Sequence, residues 1–180
     1  MLEHKFCAPG DGLTVTDGTE IAGYASLFGK ADQGGDVVAP GAYGRSLGRG
    51  VKVKMLWQHD PTQPIGVWDE VREDAKGLWV KGRLLPEVAR AREAAALLAA
   101  GAIDGLSIGY RTVRATKDAQ GNRRLTELDL WEVSLVTFPM LPDARVGAKG
   151  DIPFDDDAQA LRDLTEAITA ARACMTAAMT

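Results

Sequence analysis

Leu106-Ser107-Ile108-Gly109-Tyr110-Arg111-Thr112-Val113-Arg114-Ala115 and Arg124-Leu125-Thr126-Glu127-Leu128-Asp129-Leu130-Trp131-Glu132-Val133-Ser134-Leu135-Val136-Thr137-Phe138 decide the fold. Both runs are rich in β-branched, aromatic and long apolar residues and read as strands. Asp118-Ala119-Gln120-Gly121-Asn122 is a polar turn between them, and Pro139 and Pro142 end the pattern. Just upstream, Pro86 suits a helix start, and Val88, Ala91, Ala95 and Leu98 recur at three- and four-residue steps. Gly101 is the expected stop, with Arg90 and Glu93 on the outer side. Further upstream, Pro64–Val71 and Gly77–Leu84 read as a hairpin that turns through residues 73–77. Val51–Trp57 alternates, with Val51, Val53 and Met55 on one side and Lys52, Lys54 and Leu56 on the other. Thr19–Phe28 is another strand, followed by a loop at Gly34-Gly35-Asp36. Many strands around one internal helix predict a mainly β chain with helices (α+β), its antiparallel sheet closed into a barrel or sandwich.

Composition narrows the function. The chain has 180 residues, 46% apolar and 26% charged, enough for one domain with a real core. Its formal net charge of −4 argues against a phosphate-binding surface, so no nucleic-acid partner is expected. No run of about 18 apolar residues exists, so no membrane span is expected. Residues 1–9 have no apolar signal core, and the protein is expected to stay where it is made. Cys7 and Cys174 form neither a disulfide framework nor a metal site. We divide the chain into a domain at 1–146, a polar linker at 147–157 and an amphipathic C-terminal helix at 158–180, opened by Asp155-Asp156-Asp157. Leu161, Leu164, Ile168, Ala171 and Met175 form a stripe on that helix. It packs on its own domain or serves as a partner-binding or self-association face.

Ser107 lies in Gly105-Leu106-Ser107-Ile108-Gly109, which matches the G-x-S-x-G nucleophile elbow. That reading fails twice: no histidine follows Ser107, and the residues after it look extended rather than helical. An esterase of that type is therefore disfavoured. The chain holds only two histidines, His4 and His59, and His4 belongs to a terminus expected to fray. His59, in Trp57-Gln58-His59-Asp60-Pro61, sits where an apolar strand opens into a polar turn. A serine hydroxyl needs a base to become a nucleophile, and neutral imidazole suits that role. The alternative is a surface-turn histidine.

Glu132 is the candidate to orient His59, because a carboxylate inside an apolar strand is costly unless paired. It competes with the reading of an edge-strand glutamate facing water. Asp60 is a rival, but adjacent residues in extended chain face opposite ways. Asp129 is another, with odd spacing from Glu132 and hence the opposite face. Ser134 shares Glu132's face and is a candidate to support the site by hydrogen bonding; it is also the reserve nucleophile. Oxyanion donors are not identifiable beyond a guessed turn near Arg111 or Arg114.

These residues resemble the prohead maturation proteases of HK97-type tailed phages. The similarity runs from about Gly23 to Val146. It includes Gly23-Tyr24-Ala25-Ser26-Leu27-Phe28, Val38-Ala39-Pro40-Gly41-Ala42-Tyr43, Trp57-Gln58-His59-Asp60 and Pro64-Ile65-Gly66. It continues through Gly105–Tyr110 and Glu132–Pro139. The resemblance implies a serine endopeptidase on an antiparallel β-barrel of herpesvirus-protease type, with Ser107 as nucleophile, His59 as base and Glu132 as third member. It implies no metal or organic cofactor. It also implies a major capsid protein or scaffold as substrate, self-association, and action inside assembling proheads in the bacterial host cytoplasm. The contrasting reading is a non-catalytic scaffold or assembly module of the prohead, with the C-terminal helix as its working part.

Overall fold

The structure, a computed structural model, describes residues 14–16, 19–50, 52–117 and 121–146. The linker, the C-terminal helix, His4 and both cysteines lie outside the described residues. Within them the chain runs β1 (Thr14–Thr16), β2 (Glu20–Leu27), β3 (Asp36–Val38), α1 (Gly44–Gly48), β4 (Lys54–Trp57), β5 (Asp60–Glu73), β6 (Gly77–Leu84), α2 (Ala89–Ala99), β7 (Gly105–Lys117) and β8 (Arg123–Val136).

One eight-stranded sheet takes the order β1-β2-β6-β5-β4-β8-β3, with β7 also paired to β8. β8 is the organising strand. Its residues 132–135 pair with β4 on one edge while residues 132–136 pair with β7 on the other, and residues 123–125 pair likewise with β3 and β7. The antiparallel barrel expected from the sequence needs correcting, because β3 and β4 both run parallel to β8. A parallel pair needs a long crossover, and between β4 and β8 the chain makes β5, β6, α2 and β7. The result is a mixed sheet curled into a half-barrel. Arg145 and Val146 bridge Gly105 of β7 and Gly23 of β2, and so strap the two ends of the curl together.

The predicted hairpin forms, with its first arm longer than expected and its second as expected. Asp74 Oδ1 accepts from the backbone N–H groups of Lys76 (2.8 Å) and Gly77 (3.0 Å), a side-chain mimic of a turn. α2 ends as its glycine predicts. Gly101 takes φ +67°, and Ala102 N donates to Leu97 O while Gly101 N donates to Leu98 O. Ala91 and Leu98 are buried in the core and Val88 and Ala95 pack against it as expected, with Ala94 buried beside them. No periodicity marks α1, a five-residue helix, so two short helices stand where one was expected among the described residues. The core between the curled faces is built on Ile21, Met55, Ile65, Val80, Leu106 and Val133, all essentially inaccessible. Leu56 is buried too, on the opposite face of β4 from Met55.

Candidate functional site

The site is built on the outer face of β7 and β8. Ser107 pairs with Ser134 and Gly109 with Glu132. Directly opposed residues of an antiparallel pair share a face, with Cβ atoms about 5 Å apart. Glycine at 109 is a packing requirement. A Cβ there would lie 2.0 Å from Glu132 Oε1 and 2.7 Å from Cδ, so the carboxylate rests directly on the backbone of β7. A Cβ at Gly105 would meet Val136 O at 2.6 Å. The two glycines that imitate an elbow motif are thus close-approach positions in a strand that continues to Lys117. Ser107 is only 4% exposed.

His59 comes from the two-residue turn between β4 and β5. Trp57 pairs with Asp60, and Gln58 and His59 have φ of +52° and +61°. Both are left-handed, the backbone of a tight hairpin that normally selects Asn-Gly. Each costs about 1–2 kcal/mol in an L-residue with a side chain. Hydrogen bonds to the end of β8 hold the turn. Gln58 N donates to Leu135 O (2.9 Å), Gln58 Nε2 to Thr137 Oγ1 (2.8 Å) and His59 N to Ser134 Oγ (3.1 Å). Strain held in this way is typical of functional sites.

Glu132 is 8% exposed, in the strand that three others flank, not at a wet edge. Its Oε1 lies 2.5 Å from His59 Nδ1, and its Oε2 accepts from Ser134 Oγ at 2.6 Å. A carboxylate beside Nδ1 favours the ring form that carries a proton on that nitrogen. Ser134 is fully buried, and its hydroxyl is engaged by the His59 amide and by Glu132.

The rivals are accounted for. Asp60 turns away as expected, although the left-handed backbone, rather than extended alternation, decides this. Its Oδ1 accepts from Thr62 N and Thr62 Oγ1 and its Oδ2 from Gln63 Nε2, and the Thr62 hydroxyl leads in holding its carboxyl below the usual range. For Asp129 the reasoning needs correcting. A bulge at Trp131 shifts the register between Gly109↔Glu132 and Tyr110↔Leu130. Asp129 therefore pairs with Arg111 on the same outer face as Glu132. It is kept from His59 by ion pairs to Arg111 (2.5 Å) and Arg49 (2.9 Å), and the Arg111 hydrogen bond chiefly holds its carboxyl low. Trp131 itself is extruded and 58% exposed, and the backbone N–H of Leu130 turns to Ser46 Oγ at 2.9 Å. No turn exists near Arg111 or Arg114; both lie within β7, and Arg114 faces Glu127.

Sequence reasoning missed the Gln58–Thr137 clamp and a cavity of about 220 Å³ that Ser107 helps to line. Ala25, Leu27, Ile108, Tyr110 and Met140 give the cavity apolar walls, and Asp32 and Asp36 bring carboxylates to it. Arg123 hydrogen-bonds Asp36 and holds its carboxyl below the usual range, whereas burial raises that of Asp32. Among the described residues, no group of three or more His, Cys, Asp or Glu side chains is gathered as a metal ion would require, and no helix is long and apolar enough to cross a membrane.

Comparison with known proteins gives a family and a fold. A profile described as caudovirus prohead serine protease matches residues 11–152. The chain is 32% identical over 146 residues to the prohead protease of Enterobacteria phage HK97, covering 79% of this chain and 64% of that protein's length. The structure resembles the bacteriophage T4 capsid assembly protease gp21, with a TM-score of 0.56 at 14% identity over 70% of this chain and 90% of that one. It also resembles KSHV protease, solved with a hexapeptide phosphonate inhibitor, with a TM-score of 0.52 at 13% identity over 82% of this chain and 76% of that one.

Proposed function

From a chain that belongs to the caudovirus prohead serine protease family, we propose a serine endopeptidase that processes capsid or scaffold proteins during prohead maturation, with Ser107 as nucleophile. One observation carries the assignment of roles. The only histidine among the described residues presents Nδ1 to a buried carboxylate, on the strand that neighbours Ser107.

In this reading Glu132 fixes the Nδ1–H tautomer, and the lone pair on Nε2 takes the proton of Ser107 as its oxygen attacks the scissile carbonyl. The imidazolium formed is stabilised by the same carboxylate. It then returns the proton to the leaving amine, which leaves an acyl-enzyme for water to hydrolyse. The substrate, by family kinship, is a capsid or scaffold chain inside the assembling shell, and the enzyme itself is a second substrate.

The test is co-expression with the neighbouring capsid protein, followed by mass spectrometry of the fragments. Ser107→Ala should remove every specific cleavage, and a serine-directed phosphonate should label Ser107 in the unaltered protein. Normal processing by Ser107→Ala would refute the assignment. Intact shells built with that variant, and no labelling of the unaltered protein in any assembly state, would favour the non-catalytic assembly module.

A further inference from the structure

Ser134 occupies an unusual place: its one hydroxyl meets both the backbone of the base and the carboxylate that orients the base. The Oγ accepts from His59 N at 3.1 Å and donates to Glu132 Oε2 at 2.6 Å, while Glu132 Oε1 contacts His59 Nδ1 at 2.5 Å. These three contacts close a ring, so the imidazole is held at two points, by its amide and by its ring nitrogen. A serine hydroxyl has one proton and two lone pairs. Donation to the carboxylate uses the proton, and acceptance from His59 uses a lone pair. With the side chain wholly buried, water has no route to replace either bond.

From this we infer that Ser134 is a positioning residue for the reaction: it locks the left-handed turn and aims Glu132 at Nδ1, and thereby sets the tautomer of His59. The inference rests on the reading of His59 as the base. Backbone strain makes the lock necessary. A residue at φ +61° relaxes toward the ordinary regions unless something outside the turn opposes it, and the amide bond to Ser134 Oγ does so at the residue that carries the imidazole. The neighbouring clamps act on Gln58 and leave His59 itself to Ser134. The second bond matters equally. A glutamate has freedom about its side-chain torsions, and a carboxylate with only one partner can swing off the ring nitrogen. Ser134 takes the oxygen that faces away from His59, so rotation of the carboxylate breaks a bond. Ser134 touches neither the scissile carbonyl nor Ser107's proton in this scheme, and its effect passes entirely through His59 and Glu132.

The test compares Ser134→Ala, Ser134→Val and Ser134→Thr in the full chain. Valine and threonine have the same shape, and only threonine keeps a hydroxyl. Two readouts are needed. The first is cleavage of the capsid substrate: kcat should fall ten- to hundredfold in Ser134→Ala and Ser134→Val with KM changed less than twofold, and Ser134→Thr should recover most of the loss. The second needs no activity. His4 and His59 are the only histidines, so ¹⁵N spectra of the ring nitrogens, assigned with His4→Gln, report the tautomer of His59 directly. Protein with Ser134 or with Thr at that position should hold the proton on Nδ1, and the alanine and valine variants should show mixed tautomers. Equal losses for valine and threonine would make the role one of packing and overturn the inference. So would an alanine variant with undiminished kcat and an unchanged ¹⁵N pattern. If the unaltered protein cleaves nothing, the functional reading fails, yet the spectra still decide whether Ser134 sets the tautomer.

Discussion

Gly109→Ala should separate folding from catalysis. The added methyl would stand 2.0 Å from Glu132 Oε1, 2.7 Å from Cδ and 2.8 Å from Cγ, and every one of these atoms belongs to a side chain that can rotate. Ordinary contact begins near 3.4 Å, so the carboxylate must move by about 1.4 Å. β7 itself need not shift, and alanine is at least as suited to a strand as glycine. Thermal unfolding should therefore change by about 1–3 kcal/mol, because the displaced carboxylate gives up hydrogen bonds in a buried place while the strand pairing stays. Catalysis should fail while the chain still folds. A displacement of 1.4 Å takes Oε1 out of hydrogen-bond range of His59 Nδ1, from a starting distance of 2.5 Å. Misplacing a reacting group by an ångström costs about a hundredfold, or about 2.7 kcal/mol of barrier. The assay pairs the cleavage rate of the capsid substrate with calorimetry on the same sample. Gly105→Ala is the contrast, because its methyl would meet the carbonyl oxygen of Val136 at 2.6 Å and Pro139 Cδ at 2.8 Å. Neither can swing aside, so that variant should lose stability first. A folded Gly109→Ala enzyme at full rate would refute the idea that the Glu132–His59 contact matters for turnover.

Two further outcomes follow from the same geometry. Gly23→Ala would place a methyl 2.3 Å from Arg145 O and should lift the 145–146 strap, at a cost of about 1–3 kcal/mol for overpacking against backbone. Amide exchange at Leu106, whose N–H bonds Ala144 O, should rise at least tenfold, and unchanged protection would count against a fastening role for the strap. Asp36 is held below its ordinary value of 3.8 chiefly by Arg123, so its contribution to stability is complete above about pH 4 and is lost as pH falls through the lower folded value. Arg123 is half exposed, so the contribution is under about 1 kcal/mol; Asp36→Asn should be slightly less stable at pH 7 and lose less between pH 5 and pH 2 in urea titrations, and parallel pH profiles for the two proteins would contradict this.

The long strands and α2 were legible because their signals are periodic and repeat many times. β7 and β8 each exceed twelve residues, and α2 carries its own stop in Gly101. Partnership between strands far apart in the chain was not legible. Alternation identifies a strand but not its neighbour, so nothing in Lys54–Trp57 announces that it lies parallel to Glu132–Leu135. β3 and α1, at three and five residues, are too short for any period. The residues of the site were readable as chemical types, a histidine at a strand end and a carboxylate amid apolar neighbours. Their conformations were not. Neither Gln58 nor His59 is the glycine or asparagine that usually announces positive φ, and tertiary hydrogen bonds hold both there. The bulge at Trp131 did leave a trace. Leu128 and Leu130 alternate on one parity and Val133 and Leu135 on the other, and both pairs are buried. A strict period of two cannot place them all inside, so one extruded residue between them was implied. Gly109 was noticed for the wrong reason, as part of an elbow, when its missing Cβ was the point.

The position of β8 in the chain has a consequence for synthesis on the ribosome. It is the last of the described strands to emerge, and it joins β3, β4 and β7 through contacts 73 and more residues apart in the case of the His59 turn. Until Glu132 to Thr137 have left the exit tunnel, the nascent hairpin of β4 and β5 has nothing to hold its left-handed corner or to pair with the imidazole. Late, non-local pairing is also slow. In the proposed protease, the nucleophile and the base would therefore be made well before they could act together, and a chain halted before residue 132 would be inert by construction.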